Sequence, residues 1–178
     1  MPDQFGRCLA FTLQQEGGFC DDPRDPGGAT CQGITLATLR TWSEDDSLGV
    51  SAIHDVSAAT VQAIHGSDFW NRMQCGAMPA GIDLMVFDHG VNAGPGRSVR
   101  LLQQALGFAA ADIDGCVGPQ TVRATAKADP AALVASLANR QGAYYHSLVN
   151  FDVFGNGWLG RVDRRRQAAM GMLWSITV

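Results

Sequence analysis

Nowhere does the 178-residue sequence hold the roughly 20 consecutive apolar residues that a bilayer-spanning helix needs. It also has no basic excess. Thirteen Lys and Arg face 17 Asp and Glu, a formal charge of −4, which removes any general attraction to nucleic acid or anionic membranes. The five cysteines (8, 20, 31, 75 and 116) form no Cys-x-x-Cys pair, so neither a zinc knuckle nor a dithiol redox motif is signalled. The four histidines (54, 65, 89 and 146) lack the His-x-x-x-His spacing of a zinc hydrolase. For each of them, packing or surface exposure is the expected role. The opening "MPDQFGRCLAFTLQQE" lacks a basic leader before a long apolar stretch and a small-residue cleavage site. The expectation is a protein made in the cytoplasm without a signal peptide, with free thiols. Tandem repeats, low-complexity tracts and flexible linkers are likewise missing.

What is present is helical patterning. Asp3 can cap a first helix carrying Phe5, Leu9 and Leu13 on one face, stopped at Gly17-Gly18. Phe19 and "TCQGIT" can pair as short strands. Ser57 towards Trp70 reads as a helix, and "GIDLMVFDHGVNAG" as an apolar one broken at Gly94-Pro95. "RSVRLLQQALG" reads as a helix closed by Gly107. Pro119 and Asp129-Pro130 mark two further helix starts, the second opening a long helix through Leu133, Leu137 and Tyr144. "FDVFGNGW" reads as a loop before a last helix from about Leu159 to Trp174. On that helix the basic run "RVDRRR" is expected to be a solvated face. The fold class is mainly α, with one small β-hairpin.

The chemistry is concentrated in "EGGFCDDPRDPGGATCQGIT", Glu16 to Thr35. Glu16 falls at a helix C-terminus, where the macrodipole presents negative partial charge, and Asp21, Asp22 and Asp25 follow closely. Both effects push a carboxyl towards holding its proton. A proton-holding glutamate facing an ionised aspartate is what glycosidic cleavage requires. Thr30 offers a hydroxyl for a water or a sugar oxygen. The same residues also make an ordinary Asp-Pro-Gly turn, so residue chemistry alone leaves an inert loop open. A calcium loop fits poorly, because the Asp-x-Asp-x-Asp-Gly ladder is missing. Asp88 and Asn92, four apart on one helix, share a face that suits a groove wall, and Gly94 would let a chain approach the backbone. Tyr144, Tyr145, Phe154 and Trp158 can stack on sugar rings or pack in the core.

The pattern Glu16, Gly17, Gly18, Phe19, Asp22, Pro23, Asp25, Gly27, Gly28, Thr30, Gly33, Ile34 resembles the signature of glycoside hydrolase family 108, the lysozyme-like N-acetylmuramidases. "FDHGVNAGPGRSVRLLQQALG", "DIDGCVGPQTV" and the closing "GWLGR" resemble later segments of the same family; the middle one is similar to peptidoglycan-binding modules. Nothing between Leu36 and Ser67 carries the likeness. Gln32 stands where an aromatic is more usual, and Cys20 and Cys31 where non-thiols are.

The resemblance implies a lysozyme-like catalytic region over residues 1–94. It implies a helical, peptidoglycan-binding-like region over 95–178, the two packed into one unit. Catalysis would rest on Glu16 as acid, Asp25 as second carboxylate and Thr30. Substrate would be held by Asp22, Asp88, Asn92, Gly94, Tyr144 and Trp158. No cofactor or metal is expected. The expected partners are peptidoglycan strands, with a holin or secretion system giving a monomeric enzyme access to the wall. The competing class is a non-catalytic wall-binding or export-assisting protein.

Overall fold

The computed structural model describes residues 3–21 and 28–174. Asp22 and Asp25, two of the expected site residues, lie outside them. Among the described residues the order is α1 (Gln4–Gln15), β1 (Thr30–Cys31), β2 (Ile34–Thr35), α2 (Leu36–Ser43), α3 (Val50–His54) and α4 (Ala58–Ile64). A π-helical segment (His65–Asn71) continues α4. Then come α5 (Ile82–Ala93), α6 (Pro95–Ala105), α7 (Pro119–Lys127), α8 (Pro130–His146) and α9 (Phe151–Trp174). The class is mainly α and lysozyme-like, as the sequence indicates. No described helix is long and apolar enough to cross a membrane.

α5 is the axis of the molecule. Every residue from Ile82 to Gly90 is buried, Asp83, Asp88 and His89 included. α1, α6, α8 and α9 pack round it, and the resulting core joins Leu9, Phe87, Leu102, Leu137 and Val162. Full burial of each such large side chain stabilises the fold by about 1.5–3 kcal/mol. That core draws on both halves of the chain. A second, smaller core (Ile34, Leu39, Ile53, Val61, Ile64) underlies the hairpin. Leu13 packs against both cores, so the end of α1 lies on the seam between them.

Several boundaries follow the local chemistry. Ser57 caps α4 through the Thr60 N–H, and Asp129 caps α8 through the Ala132 N–H. Pro95, Pro119 and Pro130 each open a helix. Asp3 holds the N-cap position of α1, but its side chain makes no capping bond. α2 and α3 were not foreseen.

The largest correction concerns "FDVFGNGW", which is helix and not loop: α9 begins at Phe151. Of its two glycines, Gly155 serves close packing, while Gly157 faces open space. A Cβ at Gly155 would fall 2.6 Å from the Phe151 ring. Extending α9 also brings Trp158 onto Tyr145, with ring centroids 5.5 Å apart and stacked. Tertiary contact thus overrides low helix propensity.

The π-helical segment is the other departure from regularity. Val61, Ile64 and His65 share one buried face, and a plain α-helix would next turn residue 68 inward. The longer π-turn brings Trp70 in instead, where its ring meets Phe5 at 5.3 Å and Phe87 at 5.5 Å.

Candidate active site

α1 ends at Gln15 because Glu16 turns to extended backbone (φ −76°, ψ 141°), while its N–H still bonds the Thr12 carbonyl. The chain then runs out through Gly17-Gly18. Cys20 and Thr30 exchange backbone hydrogen bonds at 2.9 and 2.8 Å, tying this segment to the hairpin. In the hairpin, Cys31 pairs with Ile34 across a two-residue turn. Gln32 (φ +51°) and Gly33 (φ +78°) are both left-handed, as a type I′ turn requires. A side chain at Gly33 would begin 3.2 Å from Glu16 Cγ and 3.3 Å from Cδ. The turn therefore rests directly on the glutamate.

A cleft of about 310 Å³ opens there, lined by Glu16, Gly17, Gly18, Cys20, Thr30, Gly33, Val91 and Asn92. Two sequence-predicted residues, Thr30 and Asn92, line it together with Glu16. Asn92 is held in place by the Tyr145 hydroxyl, which donates to its Oδ1 at 2.5 Å. Gly94, Tyr144 and Trp158 are not among the lining residues. Gly94 joins α5 to α6 with φ +88°. Tyr144 meets His89 edge-on and lies under the Arg97 guanidinium, 5.0 Å from its ring centre. Trp158 stacks on Tyr145 at the start of α9.

Asp88 requires a correction. Its side chain has no exposure, and the carboxylate is fully engaged, so it anchors the interior and offers nothing to a sugar. Oδ1 accepts from Thr12 Oγ1 (2.9 Å) and Arg161 Nη2 (2.7 Å), while Oδ2 accepts from Arg161 Nε (3.1 Å) and Arg165 Nε (2.5 Å). Burial alone would raise its pKa. The charges of Arg165 and Arg161, with their hydrogen bonds, outweigh burial and hold it at about 2.

The basic run on α9 is corrected with it. Asp163, Arg164 and Arg166 are exposed, but Arg161 and Arg165 are buried. They stand one helical turn apart on the face that meets Asp88, a placement the charge run itself did not disclose. Burial opposes the charge on Arg161. The hydrogen bond and charge of Asp88, followed by the charge of Glu16, more than compensate and hold Arg161 cationic.

Arg161 is the functional neighbour that reasoning from residue chemistry missed. Its Nη2 lies 2.7 Å from Glu16 Oε1 as well as from Asp88 Oδ1. Both carboxylates share one guanidinium nitrogen, and Glu16 Oε1 is shielded and ion-paired. The charge facing Glu16 among the described residues is thus positive, not the negative field expected from the loop. The signal for Arg161 was its place in the closing Gly157-Trp158-x-x-Arg161 motif. No group of three or more His, Cys, Asp or Glu side chains among the described residues is arranged to hold a metal. Cys20 and Cys31 are free thiols, exposed and buried respectively.

A glutamate ending the first helix, set in a cleft between a short hairpin and a helical bundle, is the layout of a lysozyme-like glycoside hydrolase. The comparisons agree. Residues 9–94 match the family model described as glycosyl hydrolase 108, and residues 97–163 match the one described as a predicted peptidoglycan domain. The chain is similar to the structure of SagA from Brucella abortus, at 32% identity and a TM-score of 0.86 over 97% of both chains. No curated protein matches it in sequence. The chain belongs to the glycosyl hydrolase 108 family and carries a peptidoglycan-binding region, and its function is that of a peptidoglycan hydrolase.

Proposed function

We propose that the protein is an N-acetylmuramidase that cleaves the β-1,4 bond between N-acetylmuramic acid and N-acetylglucosamine, and that Glu16 is its general acid. The observation that carries this reading is Glu16 lining the cleft, with Oε1 shielded and Arg161 Nη2 2.7 Å away. Arg161 directs two hydrogen bonds at Asp88 and shares its Nη2 with Glu16, so Asp88 and Glu16 together balance Arg161 and Arg165. Glu16 then delivers its proton to the leaving oxygen. Asp25, or failing that Asp22, supports the oxocarbenium-like state or activates water. Thr30 orients that water or a sugar oxygen from the hairpin side, and Asn92 hydrogen-bonds substrate from α5.

Substrate binding extends along α9. Phe154, Trp158, Arg161 and Arg165 recur at intervals of four, three and four, which places them on one face. The stripe runs from the buried Asp88 anchor, past Glu16, to the half-exposed Trp158 and the 53%-exposed Phe154. A glycan strand leaving the cleft along this stripe would meet aromatic faces, with Tyr144 alongside and Gly94 at the α5–α6 joint.

The 1–94 region serves catalysis and the 95–178 region holds the wall. The enzyme acts there as a monomer, a phage endolysin reaching its substrate through a holin-opened membrane; a secretion system is the other route. The test is mass spectrometry of purified peptidoglycan after digestion. Muropeptides with reducing N-acetylmuramic acid ends are expected. Reducing N-acetylglucosamine ends, or released peptides on intact glycan, would overturn the assignment.

A further inference from the structure

His65 is fully buried, yet nothing in the proposed chemistry uses it. It opens the π-helical segment, within the residues that match the family model. Its Nε2 lies 3.0 Å from the Gln32 carbonyl oxygen. A carbonyl only accepts, so Nε2 carries the proton and donates, and Nδ1 is bare. Nδ1 is buried and has no hydrogen-bond partner. A buried bare nitrogen costs stability. The ring is retained despite that cost, wedged against Phe69 at 5.5 Å and Phe87 at 6.2 Å.

The carbonyl it holds is not an arbitrary one. The Gln32–Gly33 peptide joins the two left-handed residues of the hairpin turn, and Gln32 adopts φ +51° without being glycine. Gly33, the next residue, is the surface on which the Glu16 side chain rests. Two contacts joined by one peptide therefore lead from the α4 extension to the carboxyl: His65 ring on the Gln32 carbonyl, then Gly33 on Glu16.

We propose that His65 is a positioning residue for Glu16, fixing the Gln32–Gly33 peptide so that the turn seats the carboxyl in the cleft. The inference rests on the reading of Glu16 as the acid. Its physical basis is that a reacting group displaced by about 1 Å costs on the order of a hundredfold in rate. A turn freed of this side-chain tether from the core can shift by that much.

The test compares three variants in the full-length protein, with steady-state rates on soluble peptidoglycan fragments, circular dichroism and hydrogen exchange. His65→Gln places an amide N–H near the position of Nε2 and is expected to keep kcat within about threefold. His65→Asn is polar but too short to reach Gln32, and His65→Leu removes the donor. Both are expected to lose roughly 10- to 100-fold in kcat. Their KM should stay close to the parental value, with faster exchange at residues 31–34 than in α5.

A folded Asn or Leu variant with parental kcat would overturn the proposal. So would equal losses in Gln and Asn, which mark a merely structural histidine. If the Leu variant does not fold, the Gln–Asn contrast decides alone. Glu16→Gln is run alongside. An inactive Glu16→Gln with fully active His65 variants refutes this inference only, whereas an active Glu16→Gln refutes the reading beneath it.

Discussion

Replacing Asp88 by Asn should do more harm than any other isosteric change in the molecule. The carboxylate receives three hydrogen bonds from two buried guanidiniums and one from Thr12. With Glu16, it balances the two cations of Arg161 and Arg165. An amide removes one negative charge and turns an NH₂ towards donors that need an acceptor. Leaving a buried cation uncompensated costs about 3–5 kcal/mol. For a chain of this size that lowers the melting temperature by roughly 6–20 °C.

The pH dependence gives a second signature. The folded pKa of Asp88 is depressed to about 2 from 3.8. Its contribution is therefore complete above the unfolded value and lost as pH falls through the folded one. It amounts to about 2–3 kcal/mol. The parental protein should lose this stability between about pH 4 and pH 2, and the Asn variant should not. Thermal and urea unfolding at pH 7 and across that window check both. A variant that melts within about 2 °C of the parent at pH 7 would refute the charge accounting. Activity should fall as well, because Arg161, released from Asp88, is free to close fully on Glu16.

Two further outcomes are expected. Glu16→Gln should fold normally by circular dichroism yet lose about a hundredfold or more in the clearing of permeabilised cells; Asp25→Asn should be severe and Asp21→Asn mild in the same assay. Buried His89, with neither ring nitrogen partnered, has its pKa lowered to about 3 by burial and then by Arg165. Between about pH 6.5 and 3 the unfolded chain takes up a proton that the folded one refuses, so stability falls with acidification, by up to about 5 kcal/mol. Buried Asp83, raised to about 6, opposes this between about pH 3.8 and 6, because there the folded state holds the extra proton. In His89→Phe the acid-unfolding midpoint, followed by tryptophan fluorescence, should move to lower pH; an unchanged midpoint would count against this assignment.

Much of this protein is written locally. Prolines at first helical positions, Ser57 and Asp129 as caps, and the apolar-rich stretch Ile82–Gly90 determine the helices, because each acts on backbone within one or two turns of itself. Gln32-Gly33 between short apolar strands determines the hairpin in the same way. The Glu16-Gly-Gly frame and Thr30 were legible as a candidate site because their chemistry sits in one stretch of chain. The tertiary structure decided the rest. "FDVFGNGW" has weak helix propensity and becomes helix because Trp158 stacks on Tyr145 and Phe151 closes over Gly155. Asp88 and Asn92 were expected to share one role, but only packing shows that the first is sealed under α9 while the second reaches the cleft. Arg161 stands 145 positions from Glu16, and nothing in a run of arginines tells which of them will be desolvated. Whether a charge is solvated or buried depends on what the fold brings against it, and that information lies in the partner, not in the residue.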